Sequence, residues 1–357
     1  MKHLLLLFIS LLICQTAAPQ KKSLKFYLEQ HQGKKIDTIF RIGTSDSIKA
    51  GLPATLICGR FKGPTFTIVS GARASEQSAV QSLLKLRREI NPEKLAGNLI
   101  IIPIMNLDSF FSSCPNNGLN TDLNLDQYFP ETQKSLINGL AADFITTHIF
   151  DATDIFLDIR SAGSNEDLMS YAGYYHNSEL PQQALLCSRL CEISGLGTVV
   201  SRPYLQSCGQ PTKQISRQAV SLGIPALSIT AAKQAAGTKS EIGPAMNAVY
   251  NMLAQLKMYQ HKLAPQAAPP KRFFNDQLLV ASPAEGLFYS SVKAGGSIIK
   301  GEEIGYITDV FGRNVKIITA PADGTILKKR TGLAASTSDP LFWIGCSKSS
   351  NEKEQGK

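Results

Sequence analysis

Histidine is scarce in this chain of 357 residues: there are five, and no histidines and cysteines fall at zinc-site spacing. No Cys-x-x-Cys motif occurs, which removes the zinc-finger kind of structural site. After the first residues, no apolar run reaches the ~20 residues that a membrane-spanning helix needs. Aromatic residues, 8% of the chain, are not interleaved with basic ones, and the basic clusters are short, such as Lys328-Lys329-Arg330. That pattern argues against a nucleic-acid partner. The formal charge of +9 is therefore read as a solvated surface.

The chain has 43% hydrophobic and 18% charged residues, enough apolar matter for a sizeable core. Its length suggests two domains, or one large domain with an appendage. At the N-terminus, Lys2 and His3 precede an apolar run over 4–13, and the small residues Thr16, Ala17 and Ala18 follow. Residues 1–18 are therefore expected to be a secretory signal peptide, with the mature protein periplasmic or secreted. Leu11-Leu12-Ile13-Cys14 offers an alternative, lipidation at Cys14, against which the bulky Ile13 argues. Six later cysteines allow 15 disulfide pairings, and a chain of this size does not need them. Cys187 and Cys191 are four apart on an expected helix, a spacing that points to core packing.

From residue 23 to 260, strand and helix patterns alternate, as expected for a three-layer α/β domain with a central mixed sheet. Strands are expected at 54–58, 65–69, 98–104, 155–159 and 224–229. Helices are expected at 76–90, 135–150, 180–193, 214–222 and 241–259. Pro265, Pro269 and Pro270 mark a linker over 261–275. Regular turns among strand-like runs mark a small all-β domain over 276–346. The polar tail, 347–357, is expected to be disordered.

Several strand ends carry motifs. After Phe66-Thr67-Ile68-Val69 comes Gly71-Ala72-Arg73-Ala74-Ser75-Glu76. The apolar run 99–104 leads to Met105-Asn106-Leu107. Further on stand Asn124-Leu125-Asp126-Gln127-Tyr128-Phe129-Pro130, Asp158-Ile159-Arg160, and Gly223-Ile224-Pro225-Ala226-Leu227-Ser228-Ile229-Thr230. In order and spacing this set resembles the succinylglutamate desuccinylase/aspartoacylase family of zinc carboxypeptidase-like hydrolases, over roughly residues 48–344. In that family, Gly-x-His-Gly-x-Glu and Asp-Leu-His supply the zinc ligands, and Asp-Leu-Asn-Arg-x-Phe-Pro supplies an arginine that holds an anionic substrate. The last motif ends in the catalytic glutamate.

Read through that resemblance, Glu76 retains a zinc-ligand position, while Arg73 and Arg160 replace the two histidines. Gln127 replaces the substrate arginine, and Thr230 occupies the general-base position. Asn106, Asn124 and Gln127 remain as candidate substrate-pocket residues. A guanidinium has no lone pair for a metal and stays charged, so no metal and no intact catalytic residue are expected. His31, His148, His176 and His261 are read as structural or exposed, with His176 in a loop. Arg73, Glu76 and Arg160 are expected to converge, with a formal sum of +1. Either they form an ion-pair cluster filling the place of zinc, or they line a cationic pocket for a small carboxylate. The resemblance implies a barrel-sandwich hybrid for the C-terminal domain. Its hairpin tip at Phe311-Gly312-Arg313-Asn314 lacks the modified lysine of a biotinyl or lipoyl carrier, so the domain is read as a cap or interaction module. The leading functional reading is a non-catalytic relative kept for binding or scaffolding. The alternative is a zinc-dependent hydrolase of amide or ester bonds in N-acyl amino acid-like substrates.

Overall fold

A computed structural model describes residues 23–42, 50–105, 107–112, 125–129, 137–163, 165–204, 214–231, 239–261, 272–313 and 316–347. The strands come in the order β1 (Lys35–Ile42), β2 (Ala50–Cys58), β3 (Phe61–Val69), β4 (Ala96–Ile102), β5 (Ile155–Ser161), β6 (Glu166–Leu168), β7 (Tyr171–His176), β8 (Thr198–Pro203), β9 (Ala226–Ala231) and β10 (Arg272–Phe274). All but β6 join one mixed nine-stranded sheet, ordered β1-β2-β4-β3-β5-β9-β7-β8-β10. β3 runs parallel to β4 and β5, and β5 parallel to β9, so these strands end at one edge.

Helices cover both faces. In chain order they are α1 (Leu24–Gln30), α2 (Gln77–Glu89), α3 (Leu107–Ser112), α4 (Ile137–Phe144), α5 (Pro181–Glu192), α6 (Ile215–Ser221) and α7 (Lys239–Gln255). α2, α5 and α7 bury Leu83, Leu190 and Leu253 against one face, where Leu157, Ile159, Leu227 and Ile229 point. α1, α4 and α6 bury Leu28, Ala142 and Ala219 against the other, where Phe156 and Ala226 point. Coverage on both sides explains why central strands such as β4 read as unbroken apolar runs. Side chains alternate across a strand. On the second face, Phe156 is therefore followed by Asp158 and Arg160, and Ala226 by Ser228 and Thr230.

The C-terminal strands are β11 (Asp276–Ala281), β12 (Gly286–Tyr289), β13 (Ser297–Ile298), β14 (Glu303–Thr308), β15 (Lys316–Thr319), β16 (Gly324–Arg330), β17 (Ala334–Ala335) and β18 (Pro340–Cys346). They form two antiparallel sheets, β11-β18-β16-β13 and β15-β14-β12-β17, around a core that includes Phe288, Ile326 and Phe342. β6 pairs with β16, setting Glu166, Asp167 and Leu168 opposite Arg330, Lys329 and Lys328. A strand from the α/β part thus extends a C-terminal sheet.

Several expectations need correction. The expected strand at 224–229 lies at Ala226–Ala231. The expected helix at 135–150 is described from Ile137, and it loosens after Phe144 into a π-helical turn, Ile145–Ile149. His176 is not in a loop but ends β7, paired with Pro203 of β8. Arg272–Phe274, read as linker, form an edge strand parallel to β8, because Phe274 is buried with Val200 and Leu327. Residues 1–22, 262–271 and 348–357 lie outside the described residues, and with them the signal segment, most of the linker and most of the tail. Ser347, placed in the tail, donates its hydroxyl to Phe273 O at 3.2 Å.

Candidate functional site

Arg73 follows β3 through a turn that requires glycine. Gly71 has φ +65°, and a Cβ there would lie 2.8 Å from Pro103 O. Ser70 anchors the same turn, its hydroxyl donating to Pro103 O at 2.7 Å. The chain then enters α2 with Glu76 as the residue before the first turn, fully buried. A carboxylate at a helix N-terminus is favoured by the helix dipole.

Arg160 comes from β5, and its register partner on β9 is Thr230. The three residues singled out by sequence do meet. Glu76 Oε1 lies 3.0 Å from Arg73 Nη2 and 3.6 Å from Arg160 Nη1. Neither arginine is confined to this contact. Arg160 donates from Nε to Asp158 Oδ2 at 2.6 Å and lies 2.7 Å from Asp126 Oδ2 through Nη2. Arg73 donates from Nη1 to Glu166 Oε1 at 2.7 Å. Glu166 also pairs with Lys328, brought in by β16, and its Oε2 accepts from Gly163 N at 2.9 Å.

The formal sum of +1 holds for Arg73, Glu76 and Arg160 alone, and the structure sets them in a wider cluster. Among the described residues, three cations, Arg73, Arg160 and Lys328, face four carboxylates, Glu76, Asp126, Asp158 and Glu166, for a formal sum of −1. Sequence reasoning missed Glu166 and Lys328 because nothing in their local sequence links them to residues 93 or more positions away. Asp126 and Asp158 stood inside the quoted motifs, but their direction had not been assigned. The alternation Phe156-Leu157-Asp158-Ile159-Arg160 carried that signal, since it sets Asp158 and Arg160 on one face.

Burial opposes ionisation at Arg73, Asp158, Arg160, Glu166 and Lys328. For Glu166 it would raise the carboxyl, but Arg73 and Lys328 outweigh it and bring it down to about 2. At Asp158 burial prevails: Arg160 pulls the carboxyl down, Asp126 and Glu76 push it up, and it ends at about 7. Burial would lower both guanidinium groups, but the surrounding carboxylates keep them raised.

The cluster forms part of the wall of a cavity of about 560 Å³, within the range of small-ligand sites. Thr230 and Ser228 of β9, Tyr171 and Tyr175 of β7, and Arg202 of β8 also line it. Lys328, Trp343 and Leu279 enter from the C-terminal sheets, so both parts of the chain build it. Arg202, which sequence reasoning passed over, lies with its guanidinium carbon 4.4 Å from the centre of the Tyr175 ring. It donates from Nη2 to Ser228 Oγ at 3.0 Å. Like Arg73 and Arg160, it follows an apolar strand run, here Thr198-Val199-Val200, which was its available signal. Asn106 and Asn124 lie outside the described residues. Gln127 falls in a short 3-10 turn, Leu125–Tyr128, beside Asp126.

Zinc does not fit these residues. Both guanidinium groups that meet at Glu76 carry charge and lack a lone pair. Among the described residues, no three His, Cys, Asp or Glu side chains form a group able to hold a metal. No described helix is long and apolar enough to cross a membrane.

This mixed α/β fold is shared with solved structures of succinylglutamate desuccinylase/aspartoacylase proteins. The product-bound ectoine utilization protein EutE (DoeB) from Ruegeria pomeroyi superposes with a TM-score of 0.73 and 16% identity, covering 88% of this chain and 95% of that one. A succinylglutamate desuccinylase/aspartoacylase from Rhodobacter sphaeroides gives 0.73 and 16%, covering 88% and 96%. In sequence, the N-alpha-acetyl-L-2,4-diaminobutyric acid deacetylase of Halomonas elongata is 26% identical over 132 residues, 37% of this chain and 38% of the deacetylase. No family model matches the chain.

Proposed function

We propose that this chain is a non-catalytic, metal-free relative of the desuccinylase/aspartoacylase hydrolases, retained to bind a small carboxylate. The observation that carries the reading is at Glu76: the one carboxylate kept at the ligand positions has Oε1 shared by Arg73 and Arg160. Hydrolysis in such a fold needs an activated water and a group to take its proton. Thr230, at the place of that group, carries a hydroxyl that is a poor base at neutral pH.

Of the two roles weighed for the arginines, the ion-pair cluster has the stronger support, because each has carboxylate partners within 3 Å. The cavity beside the cluster supports the binding role. We take the C-terminal sheets as a barrel-sandwich hybrid that caps the cavity, and the chain as an exported protein. The second reading, a hydrolase of N-acyl amino acid-like substrates, draws on the likeness to the deacetylase. Metal content of the purified chain, followed by hydrolysis of N-acyl amino acids with added zinc, separates the two. The expected result is no stoichiometric zinc and no turnover. Stoichiometric zinc with turnover would establish the hydrolase.

A further inference from the structure

The arginines first suspected of binding a ligand are both neutralised within the protein, while a third, at the same cavity, is not. Arg202 has no carboxylate within ion-pair distance among the described residues, and its buried Nε has no hydrogen-bond partner among them. A guanidinium that lines a cavity with no carboxylate beside it leaves its outer N–H groups to an anion in that cavity. The guanidinium is held in one orientation, over the Tyr175 ring and bonded to Ser228 Oγ. The backbone makes room for it. At Gly173, on the intervening strand, a Cβ would stand 3.4 Å from Arg202 Nη2 and 3.2 Å from Ser228 Oγ. Strand register explains the meeting, because Gly173 lies opposite Ser228 on one side and Val200 on the other.

The rest of the wall limits what accompanies an anion. With every carboxylate counted as ionised, the paired cluster has a formal sum of −1 among the described residues, and Asp276 stands in the same lining. A ligand with one carboxylate on Arg202 satisfies that guanidinium. A second carboxylate would have to approach Asp126, Asp158 or Glu166, whereas a donor or cationic group there is favoured. We infer that Arg202, set by Tyr175 and Ser228, is the anion-binding side chain of this cavity, and that the cavity selects a compact monocarboxylate bearing a hydrogen-bond donor or cationic group over a dicarboxylate. This inference rests on the binding reading above and adds to it the residue and the ligand class.

The test is calorimetric titration of the full chain with L-glutamine, N-acetyl-L-glutamine and succinate, for wild type, Arg202→Gln and Arg202→Lys. Thermal melts would verify the folding of both variants. Wild type is expected to bind a glutamine probe at least ~10-fold more tightly than succinate. A charge-assisted hydrogen bond contributes about 1.5–3 kcal/mol, so Arg202→Gln should weaken binding roughly 10- to 100-fold. Arg202→Lys keeps the charge but loses the planar fork, and should fall between them. Wild-type binding that survives unchanged in both variants overturns the role of Arg202 and leaves the binding reading standing. Succinate binding as tightly as the monocarboxylates overturns the selectivity. If wild type binds none of the probes, the binding reading itself falls, and this inference with it.

Discussion

At the residue scale, the behaviour of the cluster turns on Asp158 having lost the contest with burial. Its Oδ2 takes a 2.6 Å bond from Arg160, yet the carboxyl stands at about 7 because burial and two neighbouring carboxylates outweigh one guanidinium. A carboxyl raised on folding adds stability in full below its ordinary value of 3.8, and that stability is lost as pH rises through about 7. Asp158→Asn keeps a carbonyl to accept from Arg160 and removes the titration. The fall in stability between about pH 4 and 7 should therefore be smaller in the variant, as measured by urea unfolding across that range. Identical pH profiles would mean that Asp158 is ionised throughout. Arg73, Glu76 and Arg160 were legible from sequence because motif positions identify a place in the fold. Their true charge balance was not, because the partners Glu166 and Lys328 arrive from other elements.

At the scale of elements, the site depends on how strands end. β3, β5 and β9 are parallel and deliver Arg73, Arg160 and Thr230 to one edge of the sheet. The turn after β3 is the most constrained of these ends. Gly71→Ala would put a side chain at φ +65° and a Cβ 2.8 Å from a carbonyl oxygen. A destabilisation of about 1–3 kcal/mol is expected, measurable by chemical denaturation. A neutral outcome would show that the turn relaxes at no cost in stability. The apolar runs of β3, β4 and β5 could be read directly, since both faces of the sheet are covered and the runs are unbroken. β7 and β8 were not read as strands. Tyr171–His176 mixes aromatic, small and polar residues because one of its faces lines a cavity. Arg202 escaped notice with them.

Over the whole molecule, the C-terminal sheets complete the site through the pairing of β6 with β16, which sets Lys328 against Glu166. Lys328 is itself held over the Trp343 ring, 4.3 Å from its centre. A carboxyl lowered on folding contributes stability above its ordinary value of 4.5, and that contribution is lost as pH falls through about 2. Lys328→Gln removes part of the cause. Burial pushes the Lys328 ammonium down, which offsets part of the gain, so the variant should be destabilised by about 1–3 kcal/mol at neutral pH, with the difference shrinking as pH falls toward 2. Urea unfolding at pH 7 and pH 3 measures this, and a loss equal at both values would point to packing against Trp343 instead of charge.

The sequence by itself determined the alternation of strands and helices, the all-β character of the C-terminal part, and the presence of Arg73 and Arg160 just past the ends of apolar runs. These features are written in local periodicity and in residue type at motif positions, which need no knowledge of distant neighbours. Only the tertiary structure decided what the arginines face. Three parallel strand ends, a short strand after β5 and one strand of the C-terminal sheets meet at a single point. Charge balance is a sum over everything within a few ångströms there. The same convergence neutralises Arg73 and Arg160 and leaves Arg202, on a strand that sequence reasoning did not recognise, without a carboxylate partner among the described residues.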